Sequence, residues 1–352
     1  MFMLIHPGCR EQSVPAEEWK DPRTYQWAVD TIALPGSFQT SMSRIWGFSA
    51  ENVYTVGHNF ASTAGTMYRF NGSTWSTTGF HVREGGPITG ALELRSVLGF
   101  PSGDLWVVGS RTYANGNPPP NYLDSSLILQ YNGTVWKEHT VPTGRGLECI
   151  GGTSSSDLWT GGADGTLYHY NGTVWKRHYL PVSYELNNTF IIKDIEYPYM
   201  LCSKYDTPSG FSASYILKYL NGKWTPMDSS GYGMPKLNFR WGNSDLWTSP
   251  QGTTYSCGED GVFRLENDTW KKIIDTDRSL TRISGTSDDN IFAVGFPGRI
   301  YHFNGTDWLL FEKFNGTSIH LQDVWCNKIG TFIVGFLQDE SFATKSIVLR
   351  GK

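Results

Sequence analysis

Alternating apolar and polar residues, interrupted by short polar turns, run along most of the chain. Residues 168–175 are typical, because the apolar-polar alternation of Tyr-His-Tyr leads into Asn-Gly-Thr-Val and then a tryptophan. Successive side chains of a strand point to opposite faces, so this alternation indicates half-buried strands. Asn-Gly between two such runs is the strongest short-range hairpin signal, because a type I′ turn needs positive φ at both central residues. The pattern therefore predicts a β-hairpin with a type I′ turn.

The same hairpin recurs along the chain. Its turn and tryptophan return at residues 71–75, 132–136, 171–175, 221–224, 267–270 and 304–308. Upstream of each turn lie two further apolar segments, the second of which reads Asp-Leu-Trp-Val-Val-Gly at residues 104–109. Each repeat therefore predicts four short strands. Four strands in about 40–45 residues are typical of one blade of a β-propeller.

The number of blades follows from the two ends of the chain. After Trp308 the sequence offers three more strands, at residues 321–325, 330–335 and 346–349, and stops before a fourth. The missing strand is predicted at residues 24–30, around Trp27, because pairing there closes the ring and removes open sheet edges. We therefore expect an all-β, seven-bladed β-propeller of four-stranded antiparallel blades. It spans residues 24–352 as one domain, and residues 1–23 are a signal remnant or flexible tether.

The repeat tryptophans follow each turn at a fixed offset, which indicates a packing role. We expect them to be at least partly buried between or along the blades. They are Trp75, Trp136, Trp175, Trp224, Trp270 and Trp308.

Composition excludes several classes of protein. The formal net charge is −4, and 18% of the 352 residues are charged, below the usual figure of about 25%. A slightly acidic chain lacks the basic face that nucleic acids require, so no nucleic-acid partner is expected. The sequence contains no apolar run of 18 residues and no P-loop, HExxH, GxSxG or EF-hand pattern. It therefore predicts neither a cofactor nor a metal site, and no enzyme motif is recognised.

The repeat also resembles a known group of proteins. Its motifs are Gly-x-Ser, Asp-Leu-Trp-x-x-Gly and Asp-Gly-x-Leu-Tyr-His-Tyr-Asn-Gly-x-x-Trp, and they resemble the repeat of bacterial extracytoplasmic propeller proteins, many of them lipoproteins. The blade with residues 164–169 and Trp175 is similar to tectonin-like and fucose-binding propeller lectins. The resemblance implies a place in the bacterial cell envelope, in the periplasm or on the outer surface. It also implies a glycan as one class of ligand.

The first residues bear on location. Gly8-Cys9 after an apolar stretch is similar to the end of a bacterial lipoprotein signal, in which Cys9 would carry the lipid. Only eight residues precede Cys9, which is short for such a signal, so a plain disordered N-terminus is the alternative. A lipid at Cys9 is the one membrane attachment that we expect. The other four cysteines lie in apolar strand patterns without metal-ligand spacing and are predicted to be buried, reduced thiols.

Charged residues are expected at the mouth of the central channel. Aligning the first strand of each repeat on its glycine places one ring of residues along the channel. Its members are Arg44, Ser96, Glu148, Asp194, Phe239, Arg282 and Asp323. Five of these are charged, and we single out Arg44, Glu148, Asp194, Arg282 and Asp323 as a polar binding mouth. Hydration of a channel that binds nothing is the alternative explanation.

Long loops are predicted on the same face as the mouth. Residues 110–122 and 204–211 form the longest connections between second and third strands, and they carry Tyr113, Tyr122, Tyr205 and Phe211. Function tends to lie on loops held by a rigid scaffold, and exposed aromatic residues suit both sugars and proteins. Neutral variation of loop length is the alternative.

Three functions remain open on the sequence alone, and the protein is expected to be a monomer. The favoured one is a non-enzymatic propeller that binds a carbohydrate or glycan through the loop-rich face. The first alternative is a scaffold for protein–protein interaction in a cell-envelope complex. The third is a glycan-processing enzyme whose carboxylates are Glu148, Asp194 and Asp323.

Overall fold

The structure is a computed structural model. It describes residues 19–59, 64–82, 86–116, 121–141, 146–162, 165–180, 186–192, 199–206, 211–230, 240–338, 340 and 344–352. Within these ranges the chain forms one short 3₁₀ helix, Pro22–Thr24, and thirty strands. In chain order the strands are β1 (Trp27–Ile32), β2 (Thr40–Ser49), β3 (Asn52–Asn59), β4 (Met67–Phe70), β5 (Trp75–Thr77), β6 (His81–Val82), β7 (Gly86–Pro87), β8 (Ala91–Gly99), β9 (Leu105–Ala114), β10 (Tyr122–Tyr131), β11 (Trp136–Glu138), β12 (Leu147–Ser154), β13 (Asp157–Gly162), β14 (Leu167–Tyr170), β15 (Trp175–His178), β16 (Leu186–Ile192), β17 (Tyr199–Asp206), β18 (Phe211–Leu220), β19 (Lys223–Ser230), β20 (Asp245–Thr248), β21 (Thr254–Gly258), β22 (Gly261–Glu266), β23 (Thr269–Ile274), β24 (Leu280–Ser287), β25 (Asn290–Gly295), β26 (Arg299–Phe303), β27 (Trp308–Leu310), β28 (His320–Cys326), β29 (Thr331–Gln338) and β30 (Thr344–Gly351).

Antiparallel sheets of four strands are the main unit of the propeller. Five such sheets stand alone: β12–β15, β16–β19, β20–β23, β24–β27, and β28–β30 completed by β1. The other described strands form one ten-stranded sheet, which joins β2–β5 and β8–β11 with the short hairpin β6–β7. The prediction of seven separate four-stranded blades is therefore wrong, because the structure has five separate four-stranded blades.

Edge pairing explains the ten-stranded sheet. His58 near the end of β3 pairs with Glu93 of β8, and Trp136 of β11 pairs with Val82 of β6. Strand ends with unpaired N–H and C=O groups are templates for a neighbouring strand. The hairpin β6–β7 supplies such a neighbour within the long connection between β5 and β8, and no repeat pattern in the sequence predicts it.

The closure prediction is confirmed. β1 is the outermost strand of the C-terminal sheet and pairs antiparallel with β30, from Trp27 opposite Gly351 to Ile32 opposite Ser346. Asp30 of β1 then accepts hydrogen bonds from Trp75 Nε1 (2.9 Å) and from the guanidinium of Arg350. The N-terminal strand thus ties the C-terminal sheet to the first strands of the chain.

The hairpin prediction is confirmed, but the turn type is wrong at four turns. At residues 71–74 only Gly72 has positive φ (95°), and Asn71 Oδ1 accepts from the N–H groups of residues 73 and 74. The turns at Asn132, Asn171 and Asn304 repeat this bond pattern. Asn221-Gly222 and Asn267-Asp268 have positive φ at both residues, as a type I′ turn requires. The difference follows from loop length, because four residues separate the paired strands in the first group and two in the second.

The burial of the repeat tryptophans is confirmed. Trp136 and Trp224 are buried and the other four are half-buried. Each ring packs on the aromatic residue that precedes its turn where one is present, as in Tyr131–Trp136, with 5.1 Å between ring centroids. Cys149, Cys202, Cys257 and Cys326 are buried thiols, as predicted. Cys9 lies outside the described residues. No helix in the described ranges is long and apolar enough to cross a membrane.

Candidate functional site

The first strand of each repeat lines the central channel. Most of these strands carry a β-bulge, as in β2, where pairing with β3 shifts between Met42 and Arg44. In each first strand, one residue pairs with the residue directly before the last glycine of the second strand, or before Lys204 in β17. These residues occupy equivalent positions in the repeats and together define a ring. The ring positions are Arg44, Ser96, Cys149, Asn188, Asp245, Arg282 and Asp323.

The ring surrounds one cavity of about 200 Å³. Arg44, Arg282 and Asp323, three of the predicted mouth residues, line it together. Asp245 completes the charged part of the lining, which places two guanidinium groups and two carboxyl groups in one small space. Ser96 and Cys149 line the remainder. The register thus brings together a mixed-charge site that the glycine alignment only partly identified.

Three predicted ring members lie elsewhere. Glu148 is one residue before the ring position, because Gly151-Gly152 allows two alignments and Gly152 is the structural equivalent of the other glycines. Asp194 lies outside the described residues, and the register assigns Asn188 to that position. Phe239 also lies outside them, and Asp245 takes its place because β20 starts later than the glycine alignment indicates.

The ring carboxylates connect neighbouring blades. Asp245 Oδ2 accepts a hydrogen bond from Ile283 N in the next sheet (3.0 Å), and Asp323 Oδ2 accepts one from Ile45 N (2.9 Å). Arg282 lies between them, with its guanidinium 3.4 Å from Asp245 Oδ1 and 3.9 Å from Asp323 Oδ1. A backbone N–H that a bulge leaves outside the sheet ladder needs such an acceptor. These carboxylates therefore hold adjacent blades together at the channel.

Burial makes both carboxyl groups hard to ionise. It raises the pKa of Asp245 to about 8, against the lowering effect of the Ile283 N–H and with a further increase from Asp323. Burial also raises the pKa of Asp323 to about 6, although the positive charge of Arg44 opposes it. Loss of hydration disfavours the charged form, which explains the direction of both shifts. The ring is thus sensitive to pH between about 4 and 8.

Glu148 forms a second charged pair next to the ring. Its carboxylate is 3.7 Å from the guanidinium of Arg95, which also pairs with Glu93 at 2.7 Å. Burial raises the pKa of Glu148, and the charge of Arg95 opposes the shift. Both ion pairs are partly exposed, so they add little stability. The role of these charged residues as a binding mouth stays a prediction.

The end of the ring at which second strands lead into third strands is called the loop face here, and the opposite end the turn face. Six large aromatic side chains are exposed among the described residues, and five of them lie on the loop face with 42% to 78% of their surface exposed. These five are Phe38, Tyr113, Tyr122, Tyr179 and Phe296. Trp19, near the N-terminus, is the sixth.

Two long hairpins project on the loop face. β9 and β10 pair over ten residues up to Ala114 opposite Tyr122, and this pairing carries Tyr113 and Tyr122 beyond the neighbouring strands. A hydrogen bond of 2.6 Å from Thr112 to Asp124 and an ion pair of 2.7 Å between Arg111 and Glu138 stiffen this hairpin. β17 and β18 pair as far as Asp206 opposite Phe211. The side chains of Tyr205 and Phe211 lie outside the described residues.

The two hairpins stand on either side of one sheet. β12 contacts β8 and β9 on one side and β16 on the other, so the sheet β12–β15 lies between them. The second strand of this sheet ends at Gly162 and the third begins at Leu167, so the connection between them is short. Two long hairpins therefore flank a sheet whose second and third strands are shorter. Within the described ranges, no group of three His, Cys, Asp or Glu side chains could hold a metal ion.

Comparisons with known proteins identify the fold. No family model and no curated protein matches this chain. A solved structure described as YCF48 bound to D1 peptide has a TM-score of 0.59 at 14% identity, over 94% of this chain and 97% of that chain. The Pan2 WD40 domain of Neurospora crassa has a TM-score of 0.57 at 12% identity, over 95% and 97%. The extracellular domain of a hybrid two-component system from B. thetaiotaomicron has a TM-score of 0.58 at 10% identity, over 92% of this chain and 42% of that chain. At these identities the likeness shows the fold alone, and the chain is a β-propeller.

Proposed function

We propose that this protein is a non-catalytic scaffold that binds a protein or peptide partner across its loop face. The observation that carries the proposal is the concentration of exposed aromatic side chains on that face. Isolated exposed apolar residues are normal, but tyrosines on a rigid projection are typical of binding hot spots. A stiff hairpin also lowers the entropy lost on binding, because its side chains are ordered beforehand.

The sheet flanked by the two long hairpins suits an extended segment of a partner. The hairpin β9–β10 presents Tyr113 and Tyr122 on one side of it, and Tyr179 follows β15 at the end of the sheet between the hairpins. Phe38 and Phe296 extend the aromatic surface, which suits the apolar side chains of a protein partner. The similar YCF48 structure, which is described as bound to a peptide, supports the same class of partner.

Location and assembly are part of the proposal and rest on the sequence. We place the protein in the bacterial cell envelope, with a possible lipid at Cys9 and as a monomer. The glycan that the sequence favoured as the ligand of the loop face is replaced here by a protein partner.

A crosslinking experiment tests the loop face. A photoreactive amino acid is placed at Tyr122 in one variant and at Val174, an exposed residue of the turn face, in a control variant. We expect a partner to crosslink from position 122 and not from position 174. Tyr113→Ala with Tyr122→Ala should then weaken binding of the purified partner by roughly 30-fold, which corresponds to a hot spot of about 2 kcal/mol. Equal crosslinking from both positions, or unchanged affinity of the double variant, would show that the loop face is not the site.

A further inference from the structure

One position of the repeat controls the space between neighbouring sheets. Trp106 of β9, Trp159 of β13 and Tyr255 of β21 occupy the same register, opposite Leu98, Gly151 and Trp247 of their first strands. Side chains at this position are directed toward the next sheet of the ring. Large aromatic side chains at this position therefore lie at the interface between two sheets.

Tryptophan fills this space at two interfaces. Trp106 lies with its ring 5.3 Å from Tyr170 and 5.9 Å from Trp175 of the following sheet. Trp159 repeats the arrangement, with 4.8 Å to Tyr219 and 5.2 Å to Trp224. Aromatic clusters of this kind exclude water and leave no room for a ligand.

Between β20–β23 and β24–β27 the space is filled only in part, since Tyr255 is buried in the core while the turn-face end stays open. The ring of Tyr255 contacts Trp247 of its own sheet at 5.8 Å. The counterparts of the filling residues are Phe303 and Trp308, and in the described part of the chain neither makes a ring contact with Tyr255. A cleft of about 680 Å³ remains, open at the turn face. Its volume lies within the range of small-molecule sites.

One wall of this cleft presents oriented acceptors. Asp288 accepts hydrogen bonds from Thr253 Oγ1 (2.7 Å) and from the Tyr255 hydroxyl (3.2 Å). Its backbone N–H donates to Gln251 Oε1 at 3.3 Å, so both turns that border the cleft are held in place. A carboxylate has about four lone-pair positions, and two donors leave the others available to a ligand. Asp289 lies beside it in the lining.

The other wall presents donors and an apolar surface. Arg264 pairs with Glu266, which Lys271 also contacts, and 43% of the Arg264 side chain remains exposed. The half-buried ring of Phe303 lines the cleft between the two walls. Acceptors, donors and an aromatic ring therefore face the same space.

We propose that this cleft is a binding site for a hydroxyl-rich ligand of the carbohydrate class. Each hydroxyl group of a sugar both donates and accepts, so it matches Asp288 on one wall and Arg264 on the other. The Phe303 ring suits the apolar face of a pyranose. The guanidinium disfavours a cationic ligand, and the carboxylates at 266, 288 and 289 disfavour a polyanion. The site lies on the turn face, so it is independent of the protein-binding proposal for the loop face.

A glycan array followed by titration calorimetry tests the proposal. The full-length protein is screened against neutral oligosaccharides, and the strongest binder is titrated. We expect Asp288→Asn and Arg264→Met each to weaken its binding at least tenfold. Asp275→Asn removes an exposed carboxylate of the same region outside the cleft and should leave binding unchanged. Tyr122→Ala on the loop face should also leave it unchanged.

Other outcomes would overturn the proposal. Thermal unfolding of each variant verifies that the fold is retained, and a crystal structure with the oligosaccharide gives a second measurement if a variant is unstable. An array without binders, or an oligosaccharide bound away from the cleft, would contradict it. Spermidine serves as a cationic probe, and binding of spermidine in the cleft in preference to every saccharide would also contradict it.

Discussion

Two interfaces between neighbouring sheets have the same strand order and register but are held together differently. The first lies between β8–β11 and β12–β15, and the second lies between β20–β23 and β24–β27. The first is filled by Trp106, Tyr170, Trp175 and His139, whose rings contact one another. The second has Tyr255, an open cleft, and hydrogen bonds that Asp245 and Asp288 accept from the adjoining sheet. The comparison teaches that the repeat sets where side chains meet, while the side chains contributed by both sheets decide whether they form a core or a site.

Removal of the central tryptophan of the filled interface should have the largest effect. Trp106 is fully buried, so Trp106→Ala creates a large cavity and should lower the free energy of unfolding by about 3–5 kcal/mol. Chemical denaturation with urea measures this loss. Val174→Ala, at an exposed turn residue, is the control and should change it by less than about 0.5 kcal/mol. A small loss for Trp106→Ala would mean that the aromatic cluster does not hold this interface.

The open interface should lose stability as the pH rises. The folded-state pKa of Asp245 is about 8, above the ordinary value of 3.8, so the folded protein binds more protons than the unfolded chain between about pH 4 and pH 8. The stabilising contribution is present below pH 4 and is lost as the pH rises to 8. Asp245→Asn should therefore raise the melting temperature at pH 8 by a few degrees relative to the unmodified protein, with a smaller difference at pH 5. Asp275→Asn is the matched control, and identical pH profiles for Asp245→Asn and the unmodified protein would refute the assignment.

The filled interface should show the opposite pH dependence. Burial lowers the pKa of His139 to about 4, and the nearby charge of Lys137 acts in the same direction. The unfolded chain then binds more protons between about pH 6.5 and pH 4, so stability is lost as the pH falls through this range. His139→Gln keeps a donor toward Gln130 and removes the titrating ring. We expect its melting temperature to fall less between pH 7 and pH 4.5 than that of the unmodified protein, and an equal fall would contradict this.

The hydroxyl of Tyr255 should have the smallest effect. Tyr255→Phe removes one hydrogen bond to Asp288, which keeps its bond from Thr253. A loss of about 1 kcal/mol in the free energy of unfolding is expected, as for one ordinary hydrogen bond. Tyr255→Trp provides the contrast, because an indole at this position should reduce the cleft and weaken saccharide binding. A loss above about 3 kcal/mol for Tyr255→Phe would show that the cleft is a structural core and not an open site.

The sequence predicted the strands, the hairpins and the closure of the ring because these depend on local alternation and on pairing partners. It predicted Arg44, Arg282 and Asp323 together because they share one register of the first strand, which Gly47 and Gly285 mark for the two arginines. The sequence misplaced Glu148 because Gly151-Gly152 allows two alignments. It missed Asp245 because this residue belongs to an Asp-Leu-Trp motif that also occurs in second strands. The cleft beside Tyr255 was also missed, because an open volume depends on side chains from two sheets.

By itself the sequence determined the all-β repeat, the order of strands in each unit, the burial of the repeat tryptophans and the joining of the two chain ends. These follow from the period of two along a strand and from the conformations that asparagine and glycine allow in turns. Only the tertiary structure decided that five sheets stand alone while others merge, because pairing between strand edges depends on how close loops bring them. It also decided which charged residues share the channel and which interface remains open, because burial, packing volume and pKa shifts arise only where distant segments meet.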